Sequence, residues 1–271
     1  MEHVGRSDVL SKETDMKNFD IVRHSNWWKT IVTNFKVLPF RQAIHLPIVF
    51  FGNCELLLNK NSIEIQQPEE NLKFGMIRIG NLWSNLHGWN TQTKKTRLEV
   101  RGKLVFKGAS FIGNGSLIYV DNNAKLTLGH RSFFTADVKI ACYKEIYIDD
   151  FTRIAWESQI FDTNFHYIAD EQGVVRGKCK GIHIGKYCWI GNRVSVMRGS
   201  KLSDWTTIGS NSLVSKDISD VENGTFAGTP VKLLKTGQKR VFNWQSELRL
   251  NDFFAEYPDG EITLKQEEIE Y

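Results

Sequence analysis

The most regular feature of the sequence is an aliphatic residue at every sixth position from residue 184 onward. An α-helix does not use this period, because successive sixth residues rotate around its surface, and a simple β-strand needs apolar residues at every second position. A period of six fits a triangular β-solenoid, in which each unit is a short strand followed by a corner and three units complete one coil. We therefore predict that these side chains point into the prism and stack between coils. The six positions are Ile184, Ile190, Val196, Leu202, Ile208 and Val214.

The same spacing occurs less cleanly earlier in the chain. Slips of a few residues separate the blocks, and a solenoid tolerates slips at its corners, where loops leave. We predict one solenoid domain over residues 75–231. The earlier positions are Ile112, Ile118, Leu128, Phe134, Ile140, Ile148, Ile154 and Ile160.

The flanking segments do not keep this period. Residues 1–74 are rich in aromatic residues and are interrupted by Pro39 and Pro47, which predicts a cap of short helical or extended pieces on the first coil. A second interpretation of this aromatic, mildly basic segment is contact with a membrane surface or a lipid-linked substrate. Residues 232–271 predict a C-terminal extension with one or two helices. Its apolar residues at helical spacing include Phe242, Leu248 and Phe253.

The repeat is interrupted between Ile160 and Ile184. These residues lie 24 positions apart, so the period would place His166, Gln172 and Lys178 inside the prism. Polar side chains of this kind do not belong in an apolar interior. We therefore predict a loop over residues 161–182, and a long loop in a tight repeat architecture is often functional.

The start of this loop carries the candidate chemistry. Asp162, Asn164 and His166 lie close together, and an imidazole beside acid or amide groups can act as an oriented general base. His183 lies on the returning strand, and we interpret it as structural or substrate-facing.

Composition narrows the class of protein. The chain has 271 residues with 35 Lys+Arg against 31 Asp+Glu, so disorder and a disulfide mini-scaffold are excluded, and the small net charge does not indicate a nucleic-acid partner. No apolar stretch approaches a bilayer span, and the first residues lack the apolar core of a signal peptide, so we expect a cytoplasmic protein. The four cysteines form no C-x-x-C pair and are expected to be buried thiols.

The segment IGKYCWIGNRVSVMRGSKLSDWTTIGSNSLVSKDI and the later FAGTPVKLLK resemble the bacterial hexapeptide-repeat acyltransferases. The segment FDTNFHYI looks like the active-site loop of the branch that O-acetylates sugars and surface polysaccharides, and FKVLPFRQAIHLPI is similar to the leader of acetyltransferases from polysaccharide-synthesis clusters. The resemblance implies a left-handed parallel β-helix that assembles as a homotrimer. It also implies active sites in the grooves between subunits, with acetyl-CoA as the donor.

The resemblance also implies roles for residues in the loop. His166 corresponds to the general base that removes the proton from an acceptor hydroxyl. Asn164 is the candidate for steadying the oxyanion, although Phe165 stands between it and His166, whereas the galactoside-type enzymes place the asparagine directly before the histidine. A backbone N–H is the alternative oxyanion donor. Asp162 is expected to orient the imidazole or to bind the sugar.

The donor contacts implied by the resemblance lie in the regular coils and just after them. By this resemblance, the tryptophan of the W-I-G motif lies near the acetyl end of acetyl-CoA. Three polar residues lie along its pantetheine arm, and three lysines lie near its phosphates. The alternatives are a core or corner tryptophan and an ordinary solvated pair of lysines. In this order the residues are Trp189, Asn192, Ser210, Ser215, Lys216, Lys232 and Lys235.

These observations favour an acetyl-CoA-dependent O-acetyltransferase that acts on a sugar hydroxyl in surface polysaccharide or oligosaccharide synthesis. N-acetylation of an amino sugar, acetylation of a xenobiotic, and a non-enzymatic scaffold or glycan-binding module are the alternatives. A zinc hydratase related to carbonic anhydrase needs three converging histidines, and His130, His166 and His183 lack that family's spacing. We therefore expect no metal.

Overall fold

The computed structural model of the protein describes residues 18–81 and 94–271. Residues 1–17 of the predicted cap and residues 82–93 of the predicted solenoid lie outside this range. The described helices are α1 (Asn18–His24), α2 (Trp27–Val37), α3 (Phe40–Ala43), α4 (Trp244–Glu256) and α5 (Gln266–Ile269), with one 3₁₀ turn at Glu69–Asn71.

The strands are short, and consecutive strands belong to different sheets. They are β1 (Ile48–Phe50), β2 (Cys54–Leu58), β3 (Ile63–Ile65), β4 (Ile77–Asn81), β5 (Thr96–Val100), β6 (Lys103–Phe106), β7 (Ser110–Gly113), β8 (Leu117–Val120), β9 (Lys125–Leu128), β10 (Ser132–Phe134), β11 (Lys139–Cys142), β12 (Glu145–Ile148), β13 (Arg153–Ile154), β14 (Gln159–Phe161), β15 (Ile182–Ile184), β16 (Trp189–Ile190), β17 (Ser195–Met197), β18 (Lys201–Leu202), β19 (Thr207–Ile208), β20 (Leu213–Val214), β21 (Thr225–Ala227) and β22 (Lys232–Lys235).

Three sheets form the faces of a prism. Sheet 1 has the order β1-β4-β7-β10-β13-β16-β19-β21-β22, sheet 2 the order β2-β5-β8-β11-β14-β17-β20, and sheet 3 the order β18-β15-β12-β9-β6-β3. Neighbouring strands pair in parallel, for example β16 with β19, whereas β21 and β22 are antiparallel. The predicted all-β parallel β-helix is confirmed, and its three-sheet form agrees with the left-handed type that the resemblance implies.

The six-residue period becomes the core of the prism. Ile184 pairs with Leu202 and Ile190 with Ile208, in each case one coil of 18 residues apart, and all six predicted positions are buried. The glycine of the W-I-G motif is required by this stacking, because a Cβ at Gly191 would lie 2.8 Å from the carbonyl oxygen of Ile208. Coils can therefore pack directly on one another only where such positions stay small.

The solenoid begins earlier than the predicted boundary at residue 75. Strand β1 already pairs in parallel with β4, so that Ile48 and Ile77 are register partners although they lie 29 positions apart in sequence. Strand β2 pairs with β5, and β3 with β6, in the same way. The connection between β3 and β4, residues 66–76, is long and hides the period of six, which is why the sequence pattern does not show it.

Helix α2 covers the open edge of sheet 1. The Nδ2 atom of Asn34 donates to the carbonyl oxygen of Ile48 at 2.7 Å, and its Oδ1 atom accepts from the Ile48 N–H at 3.2 Å. The Thr30 hydroxyl oxygen accepts from the Phe50 N–H at 3.2 Å. These side chains take the place of a neighbouring strand, which an edge strand otherwise leaves open to pairing with another chain. Short helical pieces on the first coil are as predicted for residues 18–43.

The C-terminal extension lies against one corner of the solenoid. The ring of Phe242 contacts those of Tyr187 and Trp205, with centroids 5.4 and 5.7 Å apart. The Tyr271 ring contacts Phe151 on the same corner at 5.6 Å. The one or two helices predicted for this extension are α4 and α5. Across the ranges 18–81 and 94–271, the helices are too short and too polar to cross a bilayer.

The four cysteines are free thiols. Cys54, Cys142 and Cys188 are buried, whereas Cys179 is half-buried on the excursion between β14 and β15. Burial raises the pKa of the Cys54 thiol to about 11 and that of Cys188 to about 12. Thiols held in this way are poor nucleophiles, so these two have the properties of core residues.

Candidate functional site

The predicted loop is present as an antiparallel excursion, which we call the arm (residues 162–181). Its two sides meet in isolated bridges between Thr163 and Cys179 and between Ala169 and Val175. The solenoid resumes on either side of it, since Ile160 of β14 pairs with Val196 of β17 across the gap in sequence. The interruption therefore leaves the stacking of the coils intact.

The tip of the arm is closed by one carboxylate. Asp170 accepts hydrogen bonds from the Val174 N–H at 2.8 Å and from the Arg176 guanidinium at 3.0 Å. These donors lower the pKa of the Asp170 carboxyl, because they favour its ionised form. The arm thus has defined structure at its tip as well as at its base.

The base of the arm is fastened by Asp162, which is fully buried. Its Oδ1 atom accepts from the Tyr143 N–H at 2.7 Å, and its Oδ2 atom accepts from the N–H groups of Lys144 and Glu145 at 2.8 Å each. Burial raises the pKa of this carboxyl, and the three N–H donors oppose the rise. Both oxygens are thus engaged with the turn of the preceding coil, which makes Asp162 a positioning residue. A hydrogen bond of this carboxylate to the His166 imidazole, one of the two roles predicted from the sequence, is not among its hydrogen bonds in the described structure.

His166 is exposed near the base of the arm. The preceding residue, Phe165, has a φ of +61°, a conformation that non-glycine residues adopt at a cost of about 1–2 kcal/mol. Its ring packs edge-on against Tyr143 and Phe161, with centroids 5.7 and 5.6 Å apart. The His166 N–H donates to the carbonyl oxygen of Asn164 at 2.6 Å. A fixed backbone therefore presents an imidazole to solvent.

An open groove runs along the outer face of sheet 2 beside the arm. Outward-facing residues of three stacked strands, Gln159, Ser195 and Leu213, form its floor, and Gln159 donates to the Ser195 hydroxyl at 2.9 Å. The groove also brings together two residues predicted from the sequence, Asn164 and Ser215. An amide and hydroxyl groups thus lie around one open surface, at the foot of the arm that carries His166.

Sequence reasoning missed two cations of this groove, Lys180 and Arg198. The Lys180 side chain crosses Gly199, where a Cβ would lie 2.6 Å from the lysine Cδ, and Arg198 donates to the carbonyl oxygen of Gly177 at 3.3 Å. Within residues 18–81 and 94–271, neither cation forms an ion pair with a carboxylate. Their position could have been found from the period, because Arg198 directly follows a strand that lies one coil above the arm.

The predicted donor-binding residues lie partly elsewhere. Asn192 and Ser210 occupy equivalent positions of successive coils and are joined by a hydrogen bond of 2.5 Å. Trp189 points outward from sheet 1 and is 40% exposed, with the Arg240 guanidinium 5.4 Å from its ring centroid, so it is not a core residue. Trp189 does not line the sheet 2 groove.

The three predicted lysines are all exposed. Lys216 follows β20 at the end of sheet 2, whereas Lys232 and Lys235 lie on β22, the last strand of sheet 1. The predicted site residues therefore divide between two faces of the prism: His166, Asn164 and Ser215 belong to the sheet 2 side, and Trp189, Lys232 and Lys235 to the sheet 1 side.

His183 lies on sheet 3, where its ring packs edge-on against Tyr147. In the described part of the chain, no group of three His, Cys, Asp or Glu residues could hold a metal ion.

Comparison with known proteins gives neither a matching protein-family profile nor a matching curated protein. Solved structures do resemble the chain. The polySia-specific acetyltransferase NeuO is 19% identical over 77% of this chain and 98% of its own, with a TM-score of 0.43. The polysialic acid O-acetyltransferase OatWY is 19% identical over 70% and 92%, with a TM-score of 0.44. A point mutant of the N-acyltransferase AntD from Bacillus cereus, in complex with dTDP and coenzyme A, is 14% identical over 78% and 89%, with a TM-score of 0.36. These similarities assign no role to any residue of this chain.

Proposed function

We propose that the protein is an acetyl-CoA-dependent O-acetyltransferase that acts on a sugar hydroxyl in surface polysaccharide or oligosaccharide synthesis. The observation that carries this proposal is the exposed His166 on an anchored arm beside the sheet 2 groove. An imidazole is the side chain best suited to accept and return a proton near neutral pH. The buried Asp162 supports its placement by fixing the arm to the preceding coil.

The reaction needs one proton carrier. His166 removes the proton from the acceptor hydroxyl while the hydroxyl oxygen attacks the thioester carbonyl carbon of acetyl-CoA. The new C–O bond forms, the C–S bond breaks, and the imidazolium returns its proton to the departing thiolate. General-base catalysis of this kind contributes about 10²–10⁴-fold to the rate, so positioning of both substrates in the groove supplies much of the rest.

Asn164 is the side chain best placed to meet the negative oxygen of the tetrahedral intermediate. Its backbone groups are already used, the N–H by the Lys178 carbonyl and the C=O by the His166 N–H. Within the described structure its side-chain amide forms no hydrogen bond, and it lines the groove. An amide donor at this point stabilises the developing charge, and one such donor is typically worth about 10²–10³-fold in kcat.

The exposed residues on the sheet 1 side can bind the acetyl-CoA donor. Asn192 and Ser210 offer polar groups at the same corner of two successive coils. Lys232 and Lys235 offer two cations on an exposed strand for the phosphates of coenzyme A. A lysine acts there as a point charge, without the bidentate geometry of arginine. Trp189 provides an exposed ring on the same face.

The division of these residues between two sheets supports a homotrimer in which each active site is completed between chains. One chain contributes the arm with His166, and its neighbour contributes Trp189 and the lysines of β22. A closed cyclic arrangement repeats this contact three times, which gives three equivalent sites.

Acetyl transfer to a panel of sugars and amino sugars tests the proposal directly. We expect acetylation at a hydroxyl, and we expect His166→Ala to lower kcat by about 10²–10⁴-fold because the proton then has no carrier. His24→Ala, which removes an exposed histidine from the opposite end of the solenoid, serves as the matched control. Near-normal transfer by His166→Ala would overturn the general-base assignment, and acetylation confined to amines would replace O-acetylation by N-acetylation.

A further inference from the structure

Helix α2 is amphipathic, but it turns its polar side toward the protein and most of its apolar side toward solvent. Its buried residues are Thr30, Thr33, Asn34 and Val37, which are mostly polar. The hydrogen bonds of Thr30 and Asn34 to β1 account for this, because the open edge of sheet 1 needs polar partners. Apart from Val37, the apolar residues of the helix are consequently turned toward solvent.

These outward residues continue into the next helix and form one surface, which we call the apolar face. Trp28 is 78% exposed and Phe40 is 71% exposed, and the rings of Phe35 and Phe40 are in contact with centroids 6.0 Å apart. Contiguous exposed apolar surface of this kind marks an interaction site. The members of the apolar face are Trp28, Ile31, Val32, Phe35, Phe40 and Ile44.

The charges on the helices that form the apolar face have one sign. No aspartate or glutamate occurs between Asp20 and Glu55, whereas this stretch contains Arg23, Lys29 and two further cations, Lys36 and Arg41. Lys29 is directed inward, where its ammonium donates to the Cys54 carbonyl oxygen. Lys36 and Arg41 are exposed and, in the described ranges, form no ion pair. The helices therefore carry an apolar surface flanked by two exposed cations, and a carboxylate, Glu69, lies beside it at His45.

We propose that the apolar face lies on the surface of a lipid bilayer that contains anionic lipids. A helix of 11 residues cannot span a membrane, but an amphipathic helix can lie in the interface with its apolar side chains buried about 5–10 Å deep. Trp28 suits this position because the indole ring prefers the membrane–water boundary. Lys36 and Arg41 meet the anionic headgroups.

A second copy of the chain fits this surface less well. A twofold contact brings the same patch of both subunits together, so Lys36 and Arg41 of one copy would face the same cations of the other. The stretch from Ile21 to Cys54 offers no carboxylate to pair with them. An anionic bilayer pairs with every exposed cation of the face at once.

Co-sedimentation of the full chain with vesicles tests this proposal. We expect binding to phosphatidylcholine vesicles that contain about 30% phosphatidylglycerol, weakened by salt because the cations contribute. Phe35→Glu should lower the partition coefficient by at least about tenfold. Lys36→Gln with Arg41→Gln should lower it by about 25-fold, since each basic residue contributes about fivefold. Binding to pure phosphatidylcholine vesicles should be weaker than to the anionic ones.

Two matched controls separate this surface from general effects. Ile262→Glu places the same charge at another exposed apolar residue, and Lys125→Gln with Lys186→Gln removes the same charge from the solenoid. Both should bind vesicles like the original chain. Absence of binding to anionic vesicles, or binding that Phe35→Glu leaves unchanged, overturns the proposal. If the original chain does not bind vesicles and Phe35→Glu changes its oligomeric state, a second copy of the chain covers the apolar face.

Discussion

Neighbouring residues of strand β15 have opposite environments. Ile182 and Ile184 are buried in the prism, whereas His183 between them is exposed on sheet 3. The alternation follows from strand geometry, which turns successive side chains to opposite faces. It separates residues that hold the coils together from residues free to meet a ligand.

Ile184→Ala should therefore destabilise the protein strongly. The substitution removes a fully buried side chain from the stack with Leu202, and losses of this kind lower the free energy of unfolding by about 2–5 kcal/mol. His183→Ala, one residue earlier, should stay within about 0.5 kcal/mol. Urea unfolding of both variants measures the difference, and equal losses would contradict the inward register assigned to β15.

The residues at the base of the arm show how far a sequence can lead. The interruption of the period located Asn164 and His166, but it assigned Asp162 to chemistry, although its carboxylate is engaged with backbone N–H groups. Those donors are backbone N–H groups in a turn one coil earlier. Nearly every residue has such a group, so the sequence does not show which ones meet Asp162. Asp162 could be understood only once the stacking of residues 143–145 beneath it was known.

At the scale of elements, the arm depends on this one carboxylate. In Asp162→Asn the side chain keeps one acceptor oxygen and gains an NH₂ group that faces N–H donors, so we expect a loss of about 1–3 kcal/mol at the base of the arm. Backbone amides of residues 163–180 should then exchange faster with solvent. In the transfer assay, kcat should fall while KM for acetyl-CoA changes little, because the arm carries His166 and not the lysines of β22.

Asp170→Asn is the matched control for that experiment. It perturbs the hydrogen bonds at the tip, to Val174 and Arg176, and leaves the base intact. Faster exchange should then be confined to the tip. If Asp162→Asn exchanges like the original chain and keeps its kcat, the buried carboxylate does not position the arm.

The sequence pattern did not reveal two other features, the first coil and the orientation of helix α2, for physical reasons. The first coil falls within the predicted cap because a long connection separates β3 from β4, so that Ile48 and Ile77 lie 29 positions apart instead of 18. Helix α2 has a clear apolar stripe, which ordinarily faces the core. Here the polar side of the helix packs on the edge of sheet 1, because the unpaired strand β1 needs hydrogen-bond partners. This need arises from the tertiary structure, so a local sequence pattern does not reveal it.

At the scale of the whole molecule, the separation of His166 from Lys232 and Lys235 predicts complementation between two differently impaired chains. His166→Ala lacks the base, and Lys232→Ala with Lys235→Ala should raise KM for acetyl-CoA. Each mixed trimer of the two variants places an intact arm beside an intact donor side in one of its three interfaces, so about one interface in four is intact over all trimers if chains mix at random. Transfer at low acetyl-CoA should then recover to about a quarter of the normal rate.

The control for this experiment is the same two proteins assayed together without subunit exchange. Refolding or co-expression should be needed for recovery, since a site shared between chains forms only in mixed assemblies. No recovery in confirmed mixed trimers would mean that one chain supplies both parts of the site.

The central claim is that this solenoid binds an acyl-CoA donor. Calorimetric titration of the full chain with coenzyme A and acetyl-CoA, beside the His166→Ala variant, measures it most directly. We predict saturable binding at about one site per chain in both proteins, because the imidazole acts on the acceptor proton and does not hold the donor. No detectable binding at millimolar donor would contradict the transferase account and leave a glycan-binding scaffold as the function of the fold.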